Sequence, residues 1–159
     1  MFRLSLAICS VAFLFVFAAS KPATANWKTV CKGKICQLYH NVAAADGNTI
    51  ARVYLQKVEI ENQGTKVLAF ANLPLGLFIP SGVAVDIDDG VKFPAQLLEC
   101  KEKVGCRAAF NLDRGILKSL KKGKKLNIAI FEATNRKKIS FHFDLTGFST
   151  AYEKFQSGQ

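Results

Sequence analysis

The chain reads as an all-β protein, an antiparallel β-sandwich with one or two short helices near its C-terminus. Three observations predict this. Apolar and polar residues alternate with a period of two along several segments, clusters of turn-forming residues punctuate that alternation, and helical spacing of apolar residues appears only late in the chain.

The first segment is not part of that domain. Met1, Phe2 and Arg3 make a short positive start, and Leu4 to Ala19 form a nearly unbroken apolar run of 16 residues. Lys21 and Pro22 end the run, and Ala23-Thr24-Ala25 place small residues where a signal peptidase reads them. This is the layout of a secretory signal peptide, with cleavage expected between Ala25 and Asn26. The run is shorter than the ~20 residues needed to span a bilayer, so removal rather than anchorage is expected. Cys9 lies inside the run, which does not suit a lipid-modified cysteine. Residues 26–159 then form a single domain of 134 residues, long enough to bury its own core.

Along that domain, Cys36–Val42 and Ile50–Ile60 are rich in β-branched and aromatic residues and are separated by an Ala45-Asp46-Gly47-Asn48 turn. Glu61-Asn62-Gln63-Gly64 turns the chain again before a strand from Thr65 to Ala71. Pro74, Gly76 and Pro80 interrupt the following apolar stretch. Val83, Val85 and Ile87 then alternate with Ala84, Asp86 and Asp88, and Asp88-Asp89-Gly90 closes a hairpin. A strand is expected over Arg107–Phe110. A helix is expected over Arg114–Lys122, with Asn111 or Asp113 as its N-cap and Gly123 as its stop. Leu126, Ile128 and Ile130, then Ile139, Phe141, Phe143 and Leu145, outline a last hairpin across Thr134-Asn135-Arg136. Ser140, His142 and Asp144 occupy its wet face. Gly147–Phe155 predicts a short terminal helix that packs Phe148, Tyr152 and Phe155, followed by a frayed Gln156–Gln159 end.

Four cysteines remain after processing: Cys31, Cys36, Cys100 and Cys106. An even number in an exported chain favours disulfides. Of the three pairings, the local one, Cys31–Cys36 with Cys100–Cys106, is expected because each pair encloses polar, turn-like residues. Zinc would need tighter spacing and free thiolates, which an oxidising compartment disfavours. Neither pair has the Cys-x-x-Cys spacing of a redox couple. No metal and no cofactor are expected.

Trp27-x3-Cys31 with Cys36, Leu73-Pro74-Leu75-Gly76-Leu77, Ile79-Pro80-x-Gly82-Val83 and Ile87-Asp88-x-Gly90 occur in that order. They are followed by Cys100, Gly105-Cys106 and Leu145-x-Gly147-Phe148 with Ala151. Together these residues resemble the invasion-associated locus B family of Gram-negative bacteria, over a span from about Trp27 to Phe155. The resemblance implies a periplasmic, outer-membrane-associated or secreted protein linked to invasion of host cells such as erythrocytes. It brings no established catalytic residues.

The residues themselves point to no enzyme. Asp86-Ile87-Asp88-Asp89-Gly90 has Gly at position 5 and Leu97 at position 12, so it fails the calcium-loop pattern and reads as a solvated hairpin turn. His40 and His142 lack any nucleophile motif and read as surface histidines. A hydrolase built on either ranks last among the function classes.

Charge is the remaining signal. The processed chain holds 20 basic and 12 acidic side chains, a net charge of +8. Residues 26–100 are balanced at seven of each, whereas residues 101–159 carry 13 basic and five acidic side chains. Lys118, Lys121, Lys122, Lys124 and Lys125 form one cluster, and Arg136, Lys137 and Lys138 another. About eight strand residues separate them, ~26 Å, so they make two patches. Outside the inner membrane the fitting counterparts are a host-cell surface or an anionic envelope component such as a lipid headgroup, lipopolysaccharide or glycan. Nucleic acid is not expected. A solvated face that only confers solubility is the plain alternative.

Overall fold

The computed structural model describes residues 27–33 and 35–158. The expected signal segment therefore lies outside the described residues. The remaining chain makes nine strands and two α-helices. The strands are β1 (Lys28–Lys32), β2 (Ile35–Ala43), β3 (Thr49–Ile60), β4 (Gly64–Leu73), β5 (Val83–Ile87), β6 (Val91–Lys101), β7 (Gly105–Phe110), β8 (Lys125–Phe131) and β9 (Lys138–Asp144). The helices are α1 (Arg114–Lys122) and α2 (Phe148–Ser157). All strand pairings are antiparallel, in the order β1-β2-β3-β4-β7-β6-β5-β8-β9.

The two layers of the sandwich are one sheet curled on itself, and β6 is the corner. Residues Val91–Ala95 of β6 pair with β5, while Gln96–Lys101 pair with β7. A register shift between Leu97 and Glu99 marks the bend, as bulges do where a strand changes layer. Pro94 is tolerated because it stands in the half of β6 that has a single neighbour. One core results. Leu38, Val53, Leu55, Ala69 and Ala71 face it from the first layer, and Val85, Leu126, Ile128, Phe141 and Phe143 from the second.

The helices cover the core where the curl leaves it open. Asp113 caps α1 by accepting the Ile116 N–H at 2.8 Å, and Leu120 is the residue α1 buries fully. Gly123 ends α1 for reasons of space rather than dihedral freedom. A Cβ there would sit 2.7 Å from the Ile87 side chain and 2.9 Å from the Ser119 carbonyl. In α2, Phe148, Tyr152 and Phe155 are buried, as their spacing predicts. Gln156 and Ser157, expected to be frayed, instead belong to α2. α2 continues to Ser157 because the Gln156 amide reaches the Tyr152 hydroxyl at 2.7 Å and Lys57 donates to the Gln156 carbonyl at 2.8 Å.

Candidate functional site

Both cysteine pairs are disulfides, Cys31–Cys36 and Cys100–Cys106, each with Cα atoms 4.0 Å apart. Each pair is also directly opposed in strand register, β1 against β2 and β6 against β7. The bridges therefore staple hairpins that the backbone already brings together. Gly105 explains why a glycine precedes Cys106. Its φ is +104°, and a Cβ would stand 2.4 Å from the Leu73 carbonyl oxygen of β4.

The Asp86–Gly90 segment is a hairpin turn, but its carboxylates are not idle in solvent. Asp88 and Asp89 both have positive φ, 53° and 58°, and the Gly90 N–H returns to the Ile87 carbonyl at 3.0 Å. That is the primed turn favoured between twisted strands. The Asp88 carboxylate accepts the backbone N–H groups of Lys124 and Lys125 at 2.8–3.1 Å. It thereby fixes the junction between α1 and β8. Asp86 accepts from the Asn127 side chain at 2.7 Å, and the Asn127 oxygen lies 2.7 Å from His142 Nδ1. Asp86, Asn127 and His142 thus form a chain across β5, β8 and β9. Among the described residues no group of three or more metal-ligating side chains comes together.

The two histidines separate sharply. His142 is exposed on the outer face of β9, as expected. His40 corrects the reading as a surface residue: it is only 7 % exposed, because β2 turns Leu38 and His40 to the same inward face. Its ring packs edge-on against Trp27 (5.4 Å) and Phe143 (5.6 Å), and neither ring nitrogen makes a well-formed hydrogen bond. Burial holds its pKa below the ordinary histidine value, with partial compensation from the Asn41 backbone and the Asp144 carboxylate. Trp27 completes this seam. Its indole N–H donates to the Asp144 carbonyl at 2.8 Å, and its ring meets Phe148 at 4.8 Å. Among the described residues no serine, threonine or cysteine side chain is hydrogen-bonded to either imidazole.

The basic residues fall at the two ends of the β8–β9 hairpin. Lys125 opposes Asp144 at one end and Lys138 opposes Phe131 at the other, about 20 Å apart along seven-residue strands. At the first end Lys118, Lys121, Lys122, Lys124 and Lys125 are all exposed. Glu153 of α2 lies 3.6 Å from Lys121, and Asp88 sits within the cluster, so part of the charge is offset. At the second end Arg136 lies over the Phe78 ring at 3.6 Å, with Lys137 and Lys138 exposed beside it. Sequence spacing located both clusters; it did not reveal Asp88, whose role depends on a contact 36 residues away.

Residues 18–156 match the family described as invasion associated locus B (IalB) protein. An invasion protein B homolog of Brucella abortus (strain 2308) is 24 % identical over 167 residues, covering 97 % of this chain and 94 % of the relative. The crystal structure of invasion associated protein B from Bartonella henselae superposes with a TM-score of 0.71 at 20 % identity, covering 83 % of this chain and 92 % of that one. At that identity the superposition establishes the fold.

Proposed function

Since the chain belongs to the invasion associated locus B family, we propose that it is an exported, non-enzymatic protein that contributes to host-cell invasion, with erythrocytes as the family's implied target, by binding. The observation that carries the reading is a family match spanning nearly the whole chain. Other features are compatible with it. Two disulfides suit an oxidising compartment, the N-terminus has the layout of a cleaved signal, and among the described residues no helix is long and apolar enough to cross a membrane. His40 is enclosed by rings and His142 is held by Asn127, which supports binding over catalysis. Deleting the gene should lower host-cell entry, with recovery on complementation. Unchanged entry would defeat the proposal. The mature protein should begin at Asn26, which N-terminal sequencing checks.

A second reading is favoured by the exposed lysines around the α1–β8 junction. In it the protein is a periplasmic envelope-integrity factor that binds an anionic envelope component there. Binding to lipopolysaccharide should then weaken with salt and with Lys121→Glu/Lys122→Glu.

A further inference from the structure

One end of the sandwich gathers the apolar side chains that the core does not take. Strand directions send the 44–48, 101–105 and 132–137 turns and the 74–82 loop out of the sheet at the same end. Among the described residues, five of the nine exposed large apolar side chains stand there: Ile50, Leu75, Ile79, Val104 and Phe131. Val104, at the tip of the β6–β7 hairpin, is 74 % exposed, and Ile79 is 59 % exposed.

These positions are held together. Leu75 and Val104 line one groove with Lys103. The 74–82 loop is tied to the β8–β9 turn by Phe78 N–H to the Phe131 carbonyl (2.6 Å) and by Ala133 N–H to the Gly76 carbonyl (2.7 Å). Arg136 stacks on Phe78 from that turn. The resulting surface is a set of apolar tips with Lys103, Arg136, Lys137 and Lys138 around them. The same turns carry Asp46, Glu102 and Glu132, so charge alone gives a weak attraction and the tips must add to it.

We propose that this end docks on an anionic phospholipid bilayer, with Leu75, Ile79 and Val104 entering the headgroup layer and Arg136–Lys138 meeting lipid phosphates. A lipid surface fits better than a protein partner. Headgroups accommodate separate tips on several loops, whereas a protein must match one shaped patch. Apolar tips flanked by cations carry the two contributions that interfacial binding combines. The inference rests on the second reading's premise of an anionic envelope component, and it moves the contact to the other end of the β8–β9 hairpin.

The test is co-sedimentation of the mature protein with vesicles of phosphatidylcholine alone or phosphatidylcholine with phosphatidylglycerol, about two to one, at low and moderate salt. Binding is expected only with phosphatidylglycerol. It should fall ~10-fold or more in Leu75→Asp/Val104→Asp and remain in Lys121→Glu/Lys122→Glu. Thermal melts verify folding, and Ile79→Glu is a second, independent tip variant. Absence of vesicle binding, or full binding by both tip variants, overturns the inference. Lipopolysaccharide binding abolished by the lysine variant, without vesicle binding, would overturn this surface while leaving the lysine reading standing. Loss of binding to both supports would remove both.

Discussion

The Cys31–Cys36 bridge joins an edge strand to its one neighbour, whereas the Cys100–Cys106 bridge ends in β7, which has β4 on one side and β6 on the other. The covalent geometry is shared, with Cα atoms 4.0 Å apart in both. The surroundings are not. Every residue of β1 is exposed, and β1 is held mainly through β2 and through Trp27 just before it. Cys106 is buried, and Gly105 lets the chain pass against the Leu73 carbonyl. A disulfide of similar span can therefore fasten a peripheral strand or reinforce a hairpin inside the sheet.

The largest contrast should come from the two glycines. Gly105→Ala meets both positive φ and a backbone oxygen, and should cost about 4 kcal/mol, lowering the melting temperature by ~12 °C. Gly33, in the β1–β2 turn, also has positive φ but open space around it, so Gly33→Ala should cost about 1 kcal/mol. Equal losses in calorimetry would break the comparison.

Removing the bridges should give a smaller difference. Cys100→Ala/Cys106→Ala should lose about 3 kcal/mol, combining unfolded-chain entropy with a void at Cys106. Cys31→Ala/Cys36→Ala should lose about 2 kcal/mol, and native-state hydrogen exchange should report faster opening of β1 with β3 and β4 still protected.

Acid should loosen the first region more than the second. Burial depresses the folded pKa of His40, so the unfolded chain takes up a proton that the folded chain resists. Stability is then complete above the unfolded value of about 6.5 and falls as the pH drops below it. Urea midpoints between pH 7.5 and pH 5.5 should show the decline, and His40→Leu should flatten it. Asp144, held below the usual carboxylate range by hydrogen bonds from Thr146, loses its contribution only at lower pH. An undiminished slope in His40→Leu would place the titrating group elsewhere. The smallest effect is expected from Lys122→Ala, within about 0.5 kcal/mol, since that residue is exposed.

How far these features can be read from the chain depends on the range of the interaction involved. The strand segments other than β1 and β6, the primed turn at Asp88-Asp89, the Asp113 cap and the buried face of α2 follow from patterns within a few residues, and the cysteine spacings favour the local bridges. His40 was legible in principle, since it shares a parity with Leu38, but a polar residue at an inward position reads as exposed until its neighbours are known. The Asp88 anchor at α1–β8 has no local signal.

By itself the sequence determined seven of the nine described strands, the two helices and the family, because alternation, capping and motif order are written in adjacent residues; β1 and β6 were not read from it. Only the tertiary structure decided that β6 serves both layers, that Trp27 and His40 close the seam with β9, and that four separate connections bring exposed apolar tips and cations to one end. Those depend on pairings such as β4 with β7 and β5 with β8. Sheet curl and long-range packing select them, and no local stretch encodes them.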